Sequence, residues 1–107
     1  MNDKELLCFA AKAAGYGGCW IERYPEFKIW DIETEHLIKC PWNPLADDGD
    51  ALRLAVKLQF GIFTPKTYKE AEVWPTGLPR VVEEDSDHYA ATRRAIVRAA
   101  AEIGKGL

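Results

Sequence analysis

The sequence predicts an α+β domain in which three helices cover an antiparallel sheet of about four to five strands, in a sandwich-like arrangement. Apolar residues recur at helical spacing in three segments, and short runs rich in aromatic and β-branched residues lie between them. Prolines and glycines separate these runs. The 107 residues, 48% of them apolar, suit one domain spanning 1–107 with the element order α-β-β-α-β-β-α.

The first half of the chain is predicted to form a helix followed by a hairpin. Residues 3–14 place apolar side chains on one helical face, and Asn2 and Glu5 have the spacing of a capping box. Gly15 can adopt the left-handed conformation that ends a helix. Pro25 marks a turn. Strands are predicted at residues 19–24, 27–32 and 37–39.

The second half is predicted to contain two helices with a hairpin between them. The middle helix covers residues 51–58, and Gly61 is expected to end it. Strands are predicted at residues 67–74, with one solvated face, and from Val81 onward. The last helix follows the acidic segment 83–87, and Gly104 is expected to close it. Its inner stripe is predicted to contain Tyr89, Thr92, Ile96, Ala99, Ala100 and Ile103.

The charge balance argues against a general affinity for polyanions. Lysine and arginine total 14 and aspartate and glutamate total 17, which gives a net charge of −3. A local positive patch of Arg93, Arg94 and Arg98 leaves nucleic-acid binding through the last helix as an alternative. The acids just upstream, at 83–87, favour local ion pairs instead.

Hydropathy predicts no membrane segment, because no apolar run approaches the roughly 20 residues that a spanning helix needs. The charged start, Met1 to Glu5, lacks the features of a secretion signal. A cytoplasmic location is therefore expected. Cys8, Cys19 and Cys40 match no zinc spacing and are expected to be free, mostly buried thiols. A reactive thiol at Cys19 or Cys40 is left open by the sequence.

No catalytic, cofactor-binding or metal-binding set is predicted. The run Asp47, Asp48 and Asp50 lacks EF-hand spacing, since its acids are adjacent and residue 58 is Leu, so these acids are interpreted as a helix start. His36 and His88 lie far apart in sequence. The sequence therefore gives no motif-level reason to predict an enzyme.

A surface for a partner is predicted around one tryptophan. Trp42 and Trp74 each adjoin a proline and are the tryptophans expected to be exposed. Residues 31–50 contain six acids and one base, Lys39. The candidate partner-binding residues are accordingly Trp42, Asp47, Asp48 and Asp50.

Two segments resemble a known family. Residues 42–58 (WNPLADDGDALRLAVKL) and 89–104 (YAATRRAIVRAAAEIG) resemble motifs of small tailed-phage and prophage proteins described as the phage ABA (alpha-beta-alpha) sandwich domain family, and segments 5–7 and 10–15 fit as well. The resemblance implies phage origin and a helix-sheet-helix fold, and it carries over no site residues.

The leading functional hypothesis follows from the resemblance and from the missing chemical motif. It is a non-enzymatic phage or prophage accessory protein in the bacterial host cytoplasm that binds a host or phage macromolecule, a class that includes inhibitors of host defence systems. A monomer or small homo-oligomer is expected. The alternatives are a small-ligand-binding protein or enzyme with an unrecognised pocket, and nucleic-acid binding through the last helix.

Overall fold

The structure, a computed structural model, describes residues 1–66 and 69–107, and within them it confirms the α+β class. Three helices and six strands are found in these ranges. In chain order they are α1 (Asp3–Ala13), β1 (Tyr16–Ile21), β2 (Glu26–Asp31), β3 (Leu37–Lys39), α2 (Asp48–Lys57), β4 (Gly61–Phe63), β5 (Glu70–Trp74), β6 (Val81–Glu84) and α3 (His88–Lys105). The predicted strand start at residues 67 and 68 lies outside the described residues.

The strands form two antiparallel sheets, so the prediction of one sheet with four to five strands is wrong. Sheet A has the strand order β1-β2-β3, and sheet B has the order β4-β5-β6. The prediction missed β4 because Gly61 was assigned to the end of the middle helix. The middle helix ends at Lys57. Gln59, with a φ of 56°, then turns the chain, and Gly61 begins β4.

The helices pack between two separate sheets, whereas the prediction had all three helices on one sheet. Helix α1 packs against β1 and α3, and α3 packs against α2, β5 and β6. Because α3 has neighbours on several sides, Ala99, Ala100 and Ala101 are all buried in succession. Small side chains let the helices approach closely.

Two predictions about α3 are wrong. Tyr89 is 70% exposed and does not belong to the inner stripe. Gly104 does not close the helix but is buried within it, against the backbone carbonyl of Phe9 in α1. The helix continues to Lys105, and Gly106 caps it. Gly104 therefore marks a point where α1 and α3 approach each other closely.

Local signals at the N-terminus are confirmed. The side chain of Asn2 accepts a hydrogen bond from the backbone N–H of Glu5, whose side chain in turn accepts from the backbone N–H of Asn2. Gly15 has a φ of 82°, as expected for the residue that redirects the chain after a helix. None of the described helices is long and apolar enough to cross a membrane.

Candidate functional site

Asp50 is a buried carboxylate at the start of α2. It is 2% exposed, and its Oδ1 accepts hydrogen bonds from Lys39 Nζ at 2.5 Å and from Arg53 Nη2 at 2.8 Å. Its Oδ2 accepts from the backbone N–H of Asn43 at 2.9 Å. Because a buried charge is costly without partners, these contacts make the burial tolerable. Asp50 thereby ties β3, the loop before α2 and α2 together.

The surroundings of Asp50 act on its pKa in opposite directions. Burial raises the pKa, whereas the hydrogen bonds from Lys39, Asn43 and Arg53 lower it, and the net result is a pKa below the usual value. The carboxylate is therefore ionised at neutral pH and serves as a fixed acceptor. Such a group is suited to hold structure and not to exchange protons near pH 7.

Trp42 lies in the core beside this carboxylate, so the expectation that it is exposed is wrong. It is 4% exposed, and its ring packs edge-on against Tyr16, with a centroid distance of 6.4 Å, and at a tilt against Phe27. Its backbone N–H donates to the carbonyl of Phe27 at 2.7 Å. Trp74, by contrast, is 54% exposed, as expected.

Of the four candidate partner-binding residues, two are buried and two are exposed. Trp42 and Asp50 are buried, whereas the side chains of Asp47 and Asp48 are 54% and 66% exposed. Asp47 caps α2 by accepting from the backbone N–H of Asp50 at 2.8 Å, which confirms the helix-start interpretation of this acidic run. Only Asp47 and Asp48 remain available for a surface contact.

A hollow of about 280 Å³ opens next to the buried pair Trp42 and Asp50. Tyr16, Lys39 and Arg53 line it as well. Lys39 and Arg53 both form ion pairs with Asp50. The ammonium of Lys57 lies 4.3 Å from the centre of the Tyr16 ring. This hollow has the polar and aromatic lining that the small-ligand alternative would need.

The three arginines of α3 are paired with acids. Arg93 Nη1 donates to Asp48 Oδ1 at 2.7 Å, and Arg94 Nη1 to Asp3 Oδ1 at 3.3 Å. Arg98 Nη1 donates to Glu83 Oε1 at 2.6 Å, which confirms the expected local pairing with the upstream acidic segment. Each arginine of the positive patch is thus paired with a neighbouring carboxylate.

The cysteines are free thiols, but the expectation that most are buried is wrong. Cys8 is exposed, and Cys19 and Cys40 are half-buried. Partial burial raises the pKa of Cys8, and desolvation together with the hydrogen bond to Glu26 raises the pKa of Cys40. Both thiols therefore stay protonated and weakly nucleophilic at neutral pH. Among the described residues, no group of three or more His, Cys, Asp or Glu is placed to hold a metal ion.

A second hollow, here called the apolar groove, lies between α2, β4 and α3. Its volume is about 300 Å³, and its walls include Leu52, Ile62 and Tyr89, which are 59%, 40% and 70% exposed, above the buried Ile96. Val56, which is 68% exposed, lies one turn after Leu52 on the same face of α2.

The rim of the apolar groove is electrically compensated. Asp48 and Arg93 are the charged residues in its lining, and they pair with each other at 2.7 Å. Sequence reasoning missed this surface because it assigned Gly61 to a helix end and Tyr89 to the core. The available signal was the apolar pair Ile62 and Phe63 immediately after a glycine.

A scan against protein-family models found none that matches this chain, and comparisons with curated proteins and with solved structures found no match either.

Proposed function

We propose that the chain is a non-enzymatic phage or prophage accessory protein that binds a host or phage macromolecule, and that the apolar groove is its contact surface. The observation that carries this proposal is that three exposed apolar side chains, those of Leu52, Ile62 and Tyr89, line one hollow. Exposed apolar clusters of this kind on a soluble domain are typical of interaction sites. A tyrosine at the mouth is typical of residues that dominate binding energy.

The groove differs from the surface predicted from sequence, yet it keeps one of its residues. Asp48 lies on the groove rim, paired with Arg93. A partner with apolar anchors and a polar margin fits a surface of this composition. The phage origin, the sandwich fold, the location in the bacterial host cytoplasm and action on a host defence system rest on the motif resemblance and are part of the proposal. The small-ligand and nucleic-acid alternatives stay predictions.

Leu52→Glu is expected to abolish retention of the partner. A charge in the groove must be desolvated when the partner binds, whereas glutamate keeps a helix propensity near that of leucine. The matched control is Leu37→Glu, because Leu37 is 62% exposed but lies on β3, outside the groove. The measurement is pull-down from a host lysate with the wild type and both variants.

The comparison of what the three proteins retain tests the groove. A macromolecule retained by the wild type and by Leu37→Glu, but not by Leu52→Glu, supports the groove. Equal retention by all three proteins, or no retained macromolecule at low salt, contradicts the proposal. Circular dichroism of both variants verifies that each is folded.

A further inference from the structure

Strand β4 is an edge strand of sheet B. Among the described residues it pairs with β5 only, with Gly61 opposite Trp74, Ile62 opposite Val73 and Phe63 opposite Glu72. Edge strands are often protected by charged residues, by proline or by very short length; β4 has three residues and contains no charged residue and no proline. Ile62 and Phe63 point to opposite faces and are 40% and 56% exposed. The strand therefore presents backbone and apolar side chains to a further strand.

We propose that β4 pairs antiparallel with β4 of a second copy of this chain, about a two-fold axis at Ile62. In this register Gly61 of each copy faces Phe63 of the other, so the same contact forms twice, as two-fold symmetry requires. The two sheets then join into one continuous sheet of six strands.

The residues on the outer face are complementary in shape in this register. Gly61 has no side chain, and a Cβ built there would lie 3.5 Å from the Cβ of Trp74. A side chain at this position would thus be in ordinary contact with Trp74, and Gly61 leaves that place unfilled by its own strand. Phe63 of the second copy fills this space and contacts Trp74, which is 54% exposed in the single chain. An aromatic side chain that covers a glycine on a neighbouring strand stabilises strand pairs of this kind.

The charges beside this contact are already paired within each chain. Arg80 lies over the Trp74 ring at 5.9 Å and pairs with Glu72 at 3.0 Å. The outer face of sheet B is the face that carries Phe63, Glu72 and Trp74. On this face, the ion pair of Arg80 and Glu72 would lie next to each Phe63–Trp74 contact.

The proposal goes beyond the proposed function, although Ile62 belongs to both surfaces. Dimer formation depends on Gly61, Ile62 and Phe63, whereas retention of the partner is tested at Leu52. Because Ile62 also lines the apolar groove, the pairing would bring two grooves next to each other across the axis. Loss of dimer formation in a variant that still retains the partner separates the two proposals.

Sedimentation velocity over a wide concentration range tests the pairing. The wild type is expected to shift from monomer to dimer with concentration, and Phe63→Glu to weaken association by about tenfold or more. The matched control is Val82→Glu, because Val82 is 37% exposed on β6 and should leave association unchanged. A wild type that stays monomeric, or equal association by Phe63→Glu, overturns the proposal.

A cross-linking measurement decides the register even if Phe63→Glu fails to fold. With Cys8, Cys19 and Cys40 replaced by serine, Ile62→Cys places two thiols opposite each other at the axis. Facing residues of antiparallel strands have Cα atoms about 4.5–5.5 Å apart, within disulfide range. Oxidation should give a covalent dimer with Ile62→Cys and not with Val82→Cys. Equal or absent cross-linking overturns the register.

Discussion

Gly104→Ala is expected to lower the free energy of unfolding by about 2 kcal/mol or more. A Cβ at this position would overlap the backbone carbonyl of Phe9, so α1 and α3 would have to move apart. The sign of this change distinguishes close packing from an ordinary helix position, because alanine at an ordinary helix position raises the free energy of unfolding by about 1 kcal/mol relative to glycine. Chemical denaturation followed by circular dichroism measures the change.

Gly106→Ala is the matched control for this substitution. Gly106 caps the same helix with a negative φ of −84°, and a Cβ built there would lie 3.6 Å from the carbonyl of Ile103, an ordinary contact. Its expected effect is within about 0.5 kcal/mol. A Gly104→Ala protein as stable as the wild type would show that α1 and α3 do not pack as closely as described.

Asp50→Ala is expected to lower the free energy of unfolding by about 3 kcal/mol. The substitution removes the acceptor of three hydrogen bonds and leaves the backbone N–H of Asn43 and the cations Lys39 and Arg53 without it. Asp48→Ala is the control, because its exposed ion pair with Arg93 should contribute less than about 1 kcal/mol. Urea denaturation of the three proteins at pH 7 measures both effects.

The same carboxylate gives a defined pH dependence. The folded-state pKa of Asp50 is lowered, so its contribution is fully present above the unfolded pKa of about 3.9 and is lost as the pH falls through the lower folded value. The stability difference between the wild type and Asp50→Asn should therefore shrink below about pH 4. A difference that stays constant down to the folded pKa would contradict the assigned hydrogen bonds.

Local patterns accounted for the elements that the sequence predicted well. The capping pair Asn2 and Glu5, the turn at Gly15 and the cap at Asp47 each depend on residues a few positions apart, and all three are found. Hydrogen bonds between a side chain and a nearby backbone group are specified by spacing alone. The fold class follows from such local periodicities, and it is confirmed.

Long-range packing accounted for the predictions that failed. The prolines around Trp42 correctly predict a loop, and loops usually lie at the surface, but contacts with Tyr16 and Phe27 bury this ring. The ion pair between Lys39 and Asp50 joins residues 11 positions apart, and no local pattern specifies it. Tyr89 has helical spacing with core residues, yet it lies at the apolar groove and is 70% exposed.

Photo-cross-linking at Tyr89 tests the proposed binding surface most directly. A benzoylphenylalanine replaces Tyr89, which is 70% exposed at the groove, or Tyr24, which is 61% exposed at the turn of sheet A, in bacteria that express the chain. Irradiation is expected to give an adduct with another macromolecule, distinct in mass from a homodimer, from position 89 and not from position 24. No such adduct at position 89, or equal adducts at both positions, would contradict binding through the apolar groove.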